Sequence, residues 1–248
     1  DDVSVTGATT SGDLSITAGD AGAPADIAVT AADVRFETTG GGDIRLLAEG
    51  GSITLAGADA VDSNDFTLDT NGATDGSVTV AGIVTGDDPT DDAWSIDAGT
   101  GGSVTIDGFT DLLQFTLLVA SGDDPGLRVN LASDAQTVSL NGITGGTYTF
   151  DGALVVQNLL TNAGTYDLAL DGGGIIDGAF TPDHVGTYLT NGVTYNGVTD
   201  LSNVTTILGG GTGPGETFEV NDTFTFGTVL VAADTTINGN GNTLVFQT

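Results

Sequence analysis

Short runs of alternating apolar and polar residues cover most of this chain, and the runs repeat. Positions 51–57 read GSITLAG, 76–82 read GSVTVAG and 102–108 read GSVTIDG, so the three starts are almost evenly spaced. Within them Ile53 and Leu55 flank Thr54, Val78 and Val80 flank Thr79, and Val104 and Ile106 flank Thr105. A period of two over four to six residues, closed by Gly, Asn or Asp, predicts short β-strands ended by turns. Each unit follows another strand pattern (DIRLLAEG, DFTLDTNG, AWSIDAG). DLSITAGD from Asp13, DIAVTAAD from Asp26 and TVSLNG from Thr137 read as further copies of the unit. No stretch keeps a helical period for more than about two turns, so helix content should be very low.

A second repeat follows. GTY begins at Gly146, Gly164 and Gly186, at uneven spacing. If Tyr148, Tyr166 and Tyr188 fill one slot on successive coils, they form a column spaced by about 4.8 Å. Strand-rich units recurring every ~18–26 residues predict an all-β parallel β-helix, a solenoid whose coils pair with their neighbours. A β-sandwich also uses short strands and Gly turns, but at shorter spacing and without self-similarity at coil length. Roughly 11 coils would give a rod about 50 Å long. The expected organisation is a solenoid over 1–208, with GS-V-T repeats over 1–145 and GTY repeats over 146–208. A Gly-rich linker over 209–216 (GGGTGPGE) then leads to a C-terminal β segment, 217–248, that continues the solenoid or docks on a neighbouring subunit.

These repeats resemble the degenerate units of filamentous-haemagglutinin-type adhesins and autotransporter passenger domains. INGNGNTLVF, from Ile237 to Phe246, is similar to a coil motif widespread in right-handed parallel β-helices. The resemblance covers roughly 4–145 and 217–246. It implies a secreted or surface β-helix used in adhesion or matrix building.

Charge narrows the partners. The chain of 248 residues has 34 Asp plus Glu against three Arg (Arg35, Arg45, Arg128) and no Lys, for a net charge of −31. Nothing could neutralise a phosphate backbone, so nucleic acid is excluded as a partner. Anionic membrane surfaces are equally disfavoured, and no run reaches the ~20 apolar residues of a span. The most apolar run, LLQFTLLVA from Leu112, reads as a buried strand. Cations and cation-bridged surfaces are favoured instead. With no Cys and no Met, thiol chemistry and disulfides are out, as are the readily oxidised side chains. That suits an exposed extracellular material.

Candidate chemistry is sparse. Asp87, Asp88, Asp123 and Asp124, in two Gly-Asp-Asp-Pro loops, are the candidate calcium ligands, since Ca²⁺ takes carboxylate and carbonyl oxygens. No cofactor is otherwise required. Adjacent Asp pairs, including Asp91-Asp92, also read as solvated turns. His184 is the sole histidine and reads as a loop residue beside Pro182. It supports neither a Ser-His-Asp set nor a zinc site. Trp94 reads as a core or coil-stacking residue. Asn203-Val-Thr and Asn221-Asp-Thr are N-glycosylation sequons. The expected function is a non-enzymatic, extracellular, self-assembling scaffold or surface fibre, joined as a homo-oligomer or filament through the solenoid ends. The stalk of a surface adhesin is the alternative, ahead of a polysaccharide-degrading enzyme.

Overall fold

The structure is a computed structural model. It describes residues 5–7, 13–19, 25–30, 35–38, 42–48, 51–56, 60–62, 65–70, 76–86, 89–98, 102–118, 126–209, 217–232 and 235–247. Among these residues every regular element is a strand and every pairing is parallel. Two sheets have eleven strands each, and a third joins Val5–Gly7, Arg35–Thr38 and Ala60–Asp62. The chain is a parallel β-solenoid. A short coil cannot bury its own inward face, whereas a stack shares one core, so parallel stacking resolves the alternating pattern.

Long strands bend across corners, and a coil thereby contributes three straight stretches. In Val78–Thr85, residues 78–80 pair with 104–106, and residues 83–85 pair with 108–110 after a register shift. In Thr199–Leu208, residues 199–201 pair with 224–226, while 205–208 pair with 187–190 on one side and 228–231 on the other. Coil length varies along the rod. It is long near the start, where Leu14 pairs with Ile44, and short further on, where Tyr188 pairs with Thr206.

The GS-V-T units form one column. Ile27, Ile53, Val78, Val104 and Leu127 are in register, as are Val29, Leu55, Val80, Ile106 and Val129. DIAVTAAD belongs to this column. DLSITAGD and TVSLNG do not: Leu14 pairs with Ile44 and Val138 with Phe115, in the column of the preceding strands. Both columns alternate in the same way, so local pattern alone cannot distinguish them.

The Tyr column also needs correcting. Tyr148 is in register with Leu168, and Leu168 with Tyr188, at even spacing. The uneven GTY motif leaves Tyr166 two positions ahead of Leu168, out of that row. Tyr166 instead packs edge-on against Tyr148, with ring centroids 5.3 Å apart. Gly186 occupies the matching tight place on the next coil. A Cβ there would lie 1.9 Å from the Tyr166 carbonyl oxygen, so only glycine fits.

Aromatic rings fill the axis. Trp94 is fully buried, stacked on Phe66 at 6.2 Å and edge-on to Phe115 at 5.2 Å. Further along, Phe218, Phe224 and Phe226 form a second cluster with centroids 4.5–5.9 Å apart. Thr217–Val220 pairs with Val193–Tyr195 and with Thr236–Asn238, so the strands of 217–248 stack on the same rod. Of the Gly-rich break only Gly209 lies among the described residues.

Candidate functional site

The described surface carries a groove with convergent polar groups, of about 230 Å³. It lies where the chain turns the corner between Val104–Thr110 and Leu112–Leu118 and where the following coils do the same. Leu112, Ala135 and Val156 form an in-register floor. Asp111, Asp134 and Val155 stand along one side, and Gln136, Gln157 and Asp177 along the other. Asp111 adopts a left-handed conformation, φ 57°, which is uncommon for a side-chain-bearing residue. Its N–H donates to Asp134 Oδ1 at 3.0 Å, and Thr110 Oγ1 donates to Asp134 Oδ2 at 2.6 Å. Asp134 is therefore a brace for the corner as well as a wall of the groove. Gln136 Nε2 donates to the Pro89 carbonyl at 2.6 Å, which draws the preceding loop over the groove.

Carboxylates, carboxamides and an aliphatic floor suit a neutral, hydroxyl-rich ligand or a cationic one, and the charge repels an anion. The lining includes no His, Lys, Arg, Ser or Tyr. The groove residues escape sequence reasoning because their common feature is register. Asp111 and Asp134 are one coil apart, in a chain where Asp occurs in nearly every turn.

The four candidate calcium ligands, Asp87, Asp88, Asp123 and Asp124, lie outside the described residues. Among the described residues no group of three or more His, Cys, Asp or Glu is placed to hold a metal ion. Asp92 is not a solvated turn residue: it is buried, and its carbonyl accepts from Leu113 N at 2.9 Å. Two of the arginines have their partners in the next coil, Arg45 bonding to Asp69 and Arg128 to Asp151.

His184 lies in a loop beside Pro182, as expected, but this loop is turned into the core. It is fully buried and stacked on Tyr166 with centroids 4.6 Å apart. Neither ring nitrogen makes a hydrogen bond. Burial holds its pKa below the ordinary imidazole value, opposed only in part by the Thr187 backbone and the Asp167 carboxylate. Nearby, the Tyr188 and Tyr195 hydroxyls are 2.6 Å apart, and Tyr195 also reaches Thr190 Oγ1 at 2.9 Å. Burial pushes both phenols up, and the Tyr166 phenol to about 12. This polar knot is closed to solvent, which makes it a packing device.

No family model, curated protein or solved structure matches the chain. The parallel β-helix implied by the repeats is present. The adhesin-type identity they also imply rests on the motifs quoted above.

Proposed function

We propose that this chain is an extracellular structural scaffold, a non-enzymatic subunit that assembles end to end into a filament or surface fibre. The observation that carries the reading is the match between the two ends of the stack. One face of the rod begins at Leu14–Ala18 and, followed coil by coil, ends at Leu244–Phe246. At the first of these strands Leu14, Ile16 and Ala18 pack against the core but remain partly exposed. At the last, Phe246 stacks on Phe226 at 4.9 Å and stays 56% exposed. Among the described residues, both edges therefore offer inward-facing apolar rows and unpaired backbone groups of the same polarity, the arrangement that favours strand addition.

Electrostatics sets the condition. Copies carrying −31 repel one another at low salt, and screening at high ionic strength removes most of that repulsion between exposed charges. Electron cryo-microscopy of the purified chain in high salt tests the reading. Rods joined end to end with an unbroken strand spacing support it; isolated rods at every concentration and salt overturn it. The adhesin-stalk reading draws support from the groove floored by Leu112, Ala135 and Val156. It predicts isolated rods that retain a carbohydrate or a surface through that groove, with loss of retention in Gln136→Ala.

A further inference from the structure

We infer that Asn203, and not Asn221, is the acceptor of an N-linked glycan on the folded rod. Both asparagines belong to sequons and both are exposed, so sequence and accessibility leave them equal. Their hydrogen bonding separates them.

Asn221 belongs to an amide ladder on the outer corner of four successive coils. Asn196 Nδ2 donates to Asp177 Oδ1, Asn221 Nδ2 donates to Asn196 Oδ1 at 2.6 Å, and Asn240 Nδ2 donates to Asn221 Oδ1 at 2.6 Å. The Asn221 side chain is thus held on both sides, and its nitrogen points along the rod toward Asn196. Glycosylation would put a sugar carbon on that nitrogen, in the space between two coils only about 4.8 Å apart.

Asn203 is placed differently. It sits where three residues, 202–204, oppose the single Gly227 of the next coil, between the pairs Leu201–Phe226 and Thr205–Thr228. Such a bulge leaves the extra residues out of the ladder. Asn203 has no register partner in either neighbouring coil, and its amide makes no hydrogen bond within the described residues. Val204 beside it is buried and anchors the segment, while Thr205, the hydroxyl residue of the sequon, is half-buried. The bulge therefore presents a free carboxamide on a fixed stem.

The donor is an oligosaccharide carried on a polyprenyl pyrophosphate. Asn203 Nδ2 forms a bond to the anomeric carbon and loses one proton to the base of the transferase. The anomeric C–O bond breaks, and its electron pair leaves with the pyrophosphate. No oxidation or reduction is involved.

The test uses the purified, folded full chain carrying a flexible C-terminal acceptor sequon as an internal control. It is incubated with a lipid-linked oligosaccharide and a single-subunit oligosaccharyltransferase that requires only the three-residue sequon. Glycopeptide mass spectrometry then reads each site. We expect occupancy at Asn203 to exceed that at Asn221 by about tenfold, the equivalent of one strong hydrogen bond. Asn203→Gln abolishes the main product, and Asn196→Ala, which frees the Asn221 nitrogen, raises occupancy there several-fold. Equal modification of the two sites in the parent chain, or an empty Asn203 beside an occupied control sequon, overturns the inference.

Discussion

The coils before Arg128 and those after it reach the same fold by different regularities. In the first region the GS-V-T motif recurs almost evenly, from Gly51 to Gly76 to Gly102. Coil length along the neighbouring column is uneven there, as the pairs Leu14–Ile44, Ile44–Phe66, Phe66–Trp94 and Trp94–Phe115 show. In the second region the register from Tyr148 through Leu168 to Tyr188 is even while the motif slips by two. The cores differ accordingly. The first region fills its axis with aliphatic columns and the Phe66, Trp94, Phe109 and Phe115 rings. Both regions also bury polar groups, Asp69, Thr70, Asp92 and Thr116 in the first and His184, Thr190 and Thr206 in the second, which adds the Tyr188–Tyr195 hydroxyl pair. Repetition of residues and repetition of register are thus separable, and the second defines the solenoid.

If the two regions are coupled only through the shared stack, damage should be felt most in the region where it is placed. Trp94→Ala has the largest expected effect, a loss of about 4 kcal/mol, because it removes the ring that joins Phe66, Phe109 and Phe115. Urea unfolding followed by far-UV circular dichroism should then split into two transitions. A single transition would mean that the regions are more tightly coupled than described. Gly186→Ala should cost about 3 kcal/mol, since its Cβ meets a backbone oxygen that cannot yield. Gly108→Ala in the first region should cost less, about 1–2 kcal/mol, because its Cβ would meet the Ser133 hydroxyl at 3.0 Å and the Ala132 carbonyl oxygen at 3.1 Å, contacts that a shift of a few tenths of an ångström relieves. Equal midpoints for the two variants would contradict the corner geometry.

His184 gives the second region a pH dependence in the range where imidazole titrates. Its folded pKa lies below the unfolded value of 6.5, so the unfolded chain takes up the proton first. Stability is complete above 6.5, falls as the pH drops below it, and levels off below the folded value. His184→Phe keeps the ring stack on Tyr166 and should flatten the denaturation midpoint between pH 7 and pH 5. A slope unchanged in this variant would assign the effect to the carboxylates. A smaller effect is expected at Thr206, whose hydroxyl is buried without a partner. Thr206→Val should raise stability by about 1 kcal/mol in the same assay, by removing an unsatisfied polar group at nearly constant volume.

The strand pattern and the coil period were legible in the chain because alternation and Gly spacing are local. The assignment of DLSITAGD and TVSLNG to the neighbouring column was not, since both columns obey the same alternation and only pairing separates them. The loop position of His184 was legible in TPDHVG, but its burial was not, because the ring stacked upon the imidazole belongs to Tyr166, one coil earlier. The groove was invisible because Asp111, Asp134 and Gln136 meet only through a coil-to-coil register shared with many other Asp residues.

End-to-end assembly is the central claim, and the absence of cysteine makes it directly testable. Val245 is 38% exposed on the outward side of the last strand, and Ser15 and Thr17 are exposed on the first strand of the same face. In a continued sheet the strands lie about 4.8 Å apart, within disulfide reach. Val245→Cys chains mixed with Ser15→Cys or Thr17→Cys chains in high salt should form a disulfide between the two species under mild oxidation, extended to longer ladders by the double variant. A mixture that yields only monomers, or only disulfides between like chains, contradicts the account.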